Sequence, residues 1–212
     1  SRGAFSVIET LEKRVHLAAH LTPDFITYRI ATGKVMMDTN DDYAIDRRWF
    51  AGQAGDQITA GDFDGNTVDD IATYRDGLWS IDLNSDGGID RQIAYGDGEQ
   101  IPLMGDVNGD GFADLIIYNR RTGVWVIDST RDGVPDAGEF PFFLFGGQAG
   151  DAPLLGDLDG DGRDEPIIYR NGTWMTDPNR DGKADQTFTI SNVPVGRPVL
   201  VNWGTDYRTR AG

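Results

Sequence analysis

Seven segments of this chain place oxygen-bearing side chains at positions 1, 3, 5 and 9 of a nine-residue run. Three read Asp62, Asp64, Asn66, Asp70; Asp106, Asn108, Asp110, Asp114; and Asp157, Asp159, Asp161, Glu165. Four more read Asp38, Asn40, Asp42, Asp46; Asp82, Asn84, Asp86, Asp90; Asp128, Thr130, Asp132, Asp136; and Asp177, Asn179, Asp181, Asp185. Position 7 can add a backbone carbonyl, from Val68, Phe112 and Arg163 in the first series and from Ala44, Gly88, Val134 and Lys183 in the second. Ca²⁺ takes about six to eight hard oxygen ligands, and the first half of an EF-hand loop uses this spacing. No loop of ~12 residues ending in Glu lies between two helical patterns, so these are not EF-hands. The interspersed glycines permit the tight curl that turns successive side chains toward one centre.

A single such loop reads equally well as Asp and Asn capping their own turns. Seven copies with one spacing point to metal. Positions 1, 3, 5 and 9 carry ten carboxylates in the first series and twelve in the second, 22 of the chain's 35 acidic residues. Three or four carboxylates in one loop repel one another unless a cation sits among them. Seven Ca²⁺ would bring +14 against a net charge of −16. Mg²⁺ suits long, many-oxygen loops less well, because its shell is small and octahedral. The same charge excludes nucleic acid and an anionic membrane surface as partners, since both need a basic face. No apolar run approaches the ~18 residues of a membrane span. Cysteine is absent from the 212 residues, so bound metal is the available staple.

The elements that must position these loops recur with them. Four apolar segments carry a Tyr at Tyr28, Tyr74, Tyr118 and Tyr169, spaced 46, 44 and 51 residues apart. After each comes a Gly-containing turn and a second apolar strand: Lys34–Met37, Leu78–Ile81, Val124–Ile127 and Thr173–Met175. The second acidic series comes next, then a third strand such as Arg91–Tyr95 or Phe140–Phe145, and after a Gly-rich turn a fourth: Gln57–Ala60, Ile101–Met104, Pro153–Leu155 and Pro198–Val201. Four short strands in every ~45 residues is the habit of a β-propeller blade. The chain is expected to be all-β, a propeller-like array of about four four-stranded blades over residues 23–212, with residues 1–22 a separate docking or assembly segment.

These residues resemble the FG-GAP (VCBS-like) repeat family, the blade unit of integrin-type and many bacterial β-propellers. The match runs from Phe145-Gly146 through Pro153-Leu-Leu-Gly156-Asp157 to the Tyr strand; Tyr95-Gly96 to Asp114 fits equally, and Phe50 to Asp70 fits with Ala51 in place of Gly. The resemblance covers about residues 23–206 and implies Ca²⁺ at positions 1, 3, 5, 7 and 9 of the first series. The second series departs from the family's pattern. The stretch Ala4–Ala19 is similar to the short LEPR-XLL motif near the start of large exported bacterial proteins, which implies an extracellular or cell-surface bacterial protein.

Read physically, Ser6 with Glu9 makes a capping box, and Phe5, Ile8, Leu11 and Val15 make one helical stripe. A short docking helix is expected here, an extended segment that adds to a neighbouring subunit being the other reading. Aligned on the repeats, Asn202 and Asp206 are positions 1 and 5 of an eighth loop, and Asp24 is position 9 of the loop before the first Tyr strand. An eighth ion is therefore expected in a site split between the ends, closed within one chain or between chains.

Catalysis is not expected. The only histidines, His16 and His20, lie outside the repeats, and no nucleophile elbow, zinc helix or phosphate loop occurs. The expected function is a calcium-rigidified structural or adhesive module, self-associating or binding a cell-surface or matrix protein or glycan, with a surface filament built through complementary ends. A monomeric recognition propeller for a glycan or protein is the alternative. Trp79, Trp125 and Trp174 recur at one repeat position, where core packing and sugar stacking compete.

Overall fold

The computed structural model describes residues 9–11, 25–38, 44–136 and 142–189. Blade 1 comprises β1 (Glu9–Leu11), β2 (Phe25–Arg29), β3 (Lys34–Asp38) and β4 (Arg47–Phe50). Blade 2 is β5 (Gln57–Gly61), β6 (Asp70–Arg75), β7 (Leu78–Asp82) and β8 (Arg91–Ala94). Blade 3 is β9 (Ile101–Gly105), β10 (Asp114–Asn119), β11 (Val124–Asp128) and β12 (Phe142–Leu144). Blade 4 is β13 (Ala152–Gly156), β14 (Glu165–Arg170), β15 (Thr173–Thr176) and β16 (Gln186–Thr189). Each is an antiparallel four-stranded sheet whose strands pair in chain order, and together they form a β-propeller. No helix occurs among the described residues.

Burial explains why the strands read as they do. In β6, β10 and β14 the first five residues are all buried, so both faces are covered and the strand is a continuous apolar run. In β7 and β11 burial alternates, and in β8 a single residue, Ile93, is buried. Tyr74 packs edge-on against Trp79 at 5.2 Å, and Trp125 stacks on Phe143 at 5.6 Å. Trp79 and Trp125 are fully buried, and each donates its indole N–H to a carbonyl, of Tyr95 and Phe145, at 3.0 Å. Burying one such ring contributes roughly 4–6 kcal/mol at about 25 cal/mol per Å². These two tryptophans are core, so sugar stacking on them is excluded.

Blades are joined by linkers that fold back on the preceding blade. Tyr28 donates to Asp56 O, Tyr74 to Asp97 O, and Tyr118 reaches the Asp151 carboxylate. Asp56 and Asp151 then pair with Arg75 and Arg170 of the following blade. Hydrophobic clusters bridge blades 1 and 2, 2 and 3, and 3 and 4. Blade 4 is the least covered: no residue of β13 is fully buried, all of β16 is exposed, and Phe188 is 46% exposed where its counterpart Phe143 is 7%.

The docking helix expected around Ser6–Val15 is corrected at the three residues described there. Glu9–Leu11 is a strand paired antiparallel with β2. An open sheet edge satisfies the backbone groups of an apolar segment as a helix would, and it overrides the capping signal.

Candidate metal centres

Both loop series lie at one end of the blades. The first joins the first two strands of a blade, and the second joins the last two. Most of their internal wiring is shared. The position 1 carboxylate accepts backbone N–H groups with both oxygens: Asp62 from Gly65, Asn66 and Thr67, and Asp106 from Gly109, Asp110 and Gly111. Position 3 accepts from the N–H of position 5, and position 5 from that of position 7. Position 9 reaches back to the N–H of position 2, as in Asp70 to Phe63 at 2.8 Å. The 82–90 loop repeats these bonds except the one from position 4 to position 1, so the second series shares the first's curl despite departing from its sequence pattern. Thr130, which replaces Asn in the 128–136 loop, donates to Asp128 at 3.2 Å instead.

The curl needs left-handed backbone at two places. Position 4 has positive φ in every described loop, and so does position 6. Gly133 shows why position 6 favours glycine beyond its φ of 87°. A Cβ there would lie 2.8 Å from Ala94 O on the outer strand of the preceding blade. The loops thus wedge against the neighbouring blade as well as curling on themselves.

Neighbouring first-series loops are also stitched together. Ala113 N donates to Asp62 O at 2.6 Å, and Asp164 N to Asp106 O at 2.7 Å. Asp164, at position 8, returns a bond by accepting from Asp106 N. The ligand spacing gives position 8 no role, although Asp69 and Asp164 both stand there in the sequence.

The carboxylates converge in two loops. One oxygen each from Asp157, Asp159, Asp161 and Glu165 lies within 4.8 Å of the others, and the same holds for Asp62, Asp64 and Asp70. These clusters could hold a metal ion. Asp70 is 1% exposed, and its Oδ1 is buried without a hydrogen-bond partner. Burial pushes its carboxyl up to about 7, the Phe63 N–H opposes this, and the charges of Asp64 and Asp62 add to it. Asp136 likewise accepts from Ser129 with Oδ2 while Oδ1 is buried and unpartnered. A cation among the converged oxygens of the 62–70 loop would answer the Asp70 orphan, a test of fit that this donor set passes. Burial also raises Glu165, Asp128 and Asp177.

The 106–114 loop differs. The Arg131 guanidinium, from position 4 of the 128–136 loop, lies 3.4 Å from Asp114 Oδ1 and 3.7 Å from Asp110 Oδ2. It also stacks over Phe112 at 4.9 Å. Here a guanidinium from another loop stands against two of the loop's own acids. A cleft of about 250 Å³ lies beside it, lined among others by Phe63, Arg91, Phe112 and Arg131.

Of the other expected ligands, Asn40, Asp42, Asp24, Asn202 and Asp206 lie outside the described residues, as do His16 and His20.

No protein-family model and no curated protein sequence matches this chain. Solved structures do. A glutaminyl cyclase of Myxococcus xanthus matches at TM-score 0.51 and 12% identity, over 85% of this chain and 75% of its own. An Agrocybe aegerita lectin that recognises non-reducing terminal N-acetylglucosamine matches at TM-score 0.50 and 19% identity, over 86% of this chain and 52% of its own. The chain is similar to both in fold. It spans about half the lectin's length.

Proposed function

We propose that this chain is a non-enzymatic, calcium-stabilised structural or adhesive module that works outside the cell. The observation that carries it is the buried, unpartnered Asp70 Oδ1 inside a cluster of three carboxylates. Leaving that oxygen bare costs on the order of 1–3 kcal/mol, which a hard cation would recover. The six described loops share one fold, and the 38–46 loop shares their spacing; this supports Ca²⁺ at the FG-GAP-like positions in both series. Sites of extracellular type, with Kd ~10⁻⁴–10⁻³ M, would fill at millimolar external calcium, so full stability would be reached only after export. In this reading residues 23–212 form the calcium module and residues 1–22 serve docking or assembly into a surface filament. Native mass spectrometry of the protein exchanged into calcium tests the stoichiometry: about seven ions are expected, and none would overturn the proposal.

The cleft beside Arg131 favours a second reading, a recognition propeller. Its arginine and aromatic lining would suit a glycan or an acidic protein segment. Retention on a glycan array as a monodisperse monomer would favour this reading over assembly.

A further inference from the structure

We infer that the cleft where the acidic loops of blades 2 and 3 meet binds an acidic peptide segment, one of whose carboxylates is clamped between Arg91 and Arg131. The inference deepens the recognition reading above and rests on it, with calcium entering only as a modulator.

Four loops build the cleft. Phe63 and Asp64 come from the 62–70 loop, Leu83 from 82–90, Phe112 from 106–114 and Arg131 from 128–136, and Arg91 opens β8 beside them. Each guanidinium lies over a phenyl ring, Arg91 over Phe63 at 5.8 Å and Arg131 over Phe112 at 4.9 Å. A guanidinium over a ring keeps its in-plane N–H donors for other partners.

The partners within the protein do not exhaust those donors. Arg91 is exposed and, among the described residues, has no ion pair. Arg131 reaches Asp114 and Asp110 through one nitrogen each, at 3.4 and 3.7 Å, so neither contact is bidentate. A guanidinium with its fork to spare suits a carboxylate, which it can hold by two parallel bonds. Two of them on one cleft select for negative charge.

Size and shape favour a peptide over a glycan. The cleft holds about 250 Å³, less than the ~300–1,000 Å³ of a small-molecule pocket. It takes one acidic side chain, whose stem would lie against the half-buried Leu83. The rings offer little to a sugar. Phe63 is buried, and Phe112 has Arg131 over it and Gly65 packed so closely that a Cβ there would come within 2.5 Å of the ring.

Calcium bears on the site through Asp64. That acid lines the cleft and belongs to the converged cluster with Asp62 and Asp70. An ion in the cluster neutralises the wall that an incoming carboxylate would meet. An ion in the 106–114 loop would also relieve Arg131 of Asp110 and Asp114. The two ligands should therefore help each other, each tightening the other by the same factor.

The test is fluorescence anisotropy of labelled hexaglutamate with the full 212-residue chain at ~0.15 M salt, where distant charges are screened, in calcium and in chelator. Oligogalacturonate serves as the glycan arm and hexaglutamine as the neutral control. The native chain is expected to bind hexaglutamate in calcium, and Arg91→Gln and Arg131→Gln each to weaken binding roughly 10- to 100-fold. Arg91→Gln breaks no ion pair among the described residues, so its melting curve should match the native one and separate lost binding from lost folding. Hexaglutamate binding that survives both substitutions would overturn the inference. Arginine-dependent binding of oligogalacturonate without hexaglutamate would overturn it too, leaving the recognition reading intact. Binding of neither probe would sink both. Equal affinity in calcium and chelator, still lost in Arg91→Gln, would uphold the site and remove calcium's part in it.

Discussion

The 62–70 and 106–114 loops have the same spacing, the same curl and the same back-bond from position 9, yet they balance their charge differently. Asp70 keeps a buried oxygen with no partner, while its counterpart Asp114 has Arg131 at 3.4 Å. Burial still dominates in both, and each carboxyl is pushed up to about 7. The carboxylates of the first converge within 4.8 Å, and those of the second are drawn toward a guanidinium instead. A repeat can thus keep its backbone while one copy carries an internal cation. The first loop leaves a buried oxygen that a metal ion could answer, and the second has a guanidinium at hand.

The sharpest way to break this comparison is a matched pair of substitutions melted with and without calcium. Asp70→Asn should stabilise the calcium-free protein, by on the order of 2 kcal/mol at pH 8, because a buried charge is removed. The same variant should lose stability in calcium. Asp114→Asn should gain less than Asp70→Asn in the calcium-free protein, since Arg131 loses its partner. A gain for Asp114→Asn as large as that for Asp70→Asn in chelator would end the distinction.

Next in size is Arg131→Met. In chelator it should cost about 1–3 kcal/mol by leaving Asp114 Oδ1 unanswered. In calcium the cost should largely vanish as the loop gains an ion, and titration calorimetry should show tighter binding at one site.

A pH series sharpens the same point. The folded pKa of Asp70 is raised above its unfolded value of about 4. Its favourable contribution is therefore complete below pH ~4 and is lost as pH climbs toward 7. Denaturant midpoints of the calcium-free protein should fall over that window. Calcium affinity should rise across it, since binding must displace the proton.

The smallest effect is expected at Thr67, a β-branched residue held at a φ of 70°. Thr67→Gly should raise the melting temperature slightly with or without calcium, by less than about 1 kcal/mol, because backbone strain is relieved.

Much of the fold was legible because local signals agreed with one another. The Tyr strands read as apolar runs because blades cover both faces, and their pairing in chain order comes from short Gly-rich turns. The candidate loops were legible for the same reason, since every position 1, 3, 5 and 9 lies within nine consecutive residues. Two things were not. Glu9–Leu11 carried a helix signature in its own neighbourhood, and only a distant open edge made it a strand. Arg131 sits 17 residues after Asp114, in a loop of the other series, so its role depends on how the two loops pack within one blade. Local spacing cannot report a non-local partner.

The central claim is that cations hold the acidic loops together, and melting followed by circular dichroism tests it most directly. The account predicts a transition in millimolar calcium that falls by tens of degrees in excess chelator, as several sites each give up their share. Superimposable curves would contradict it.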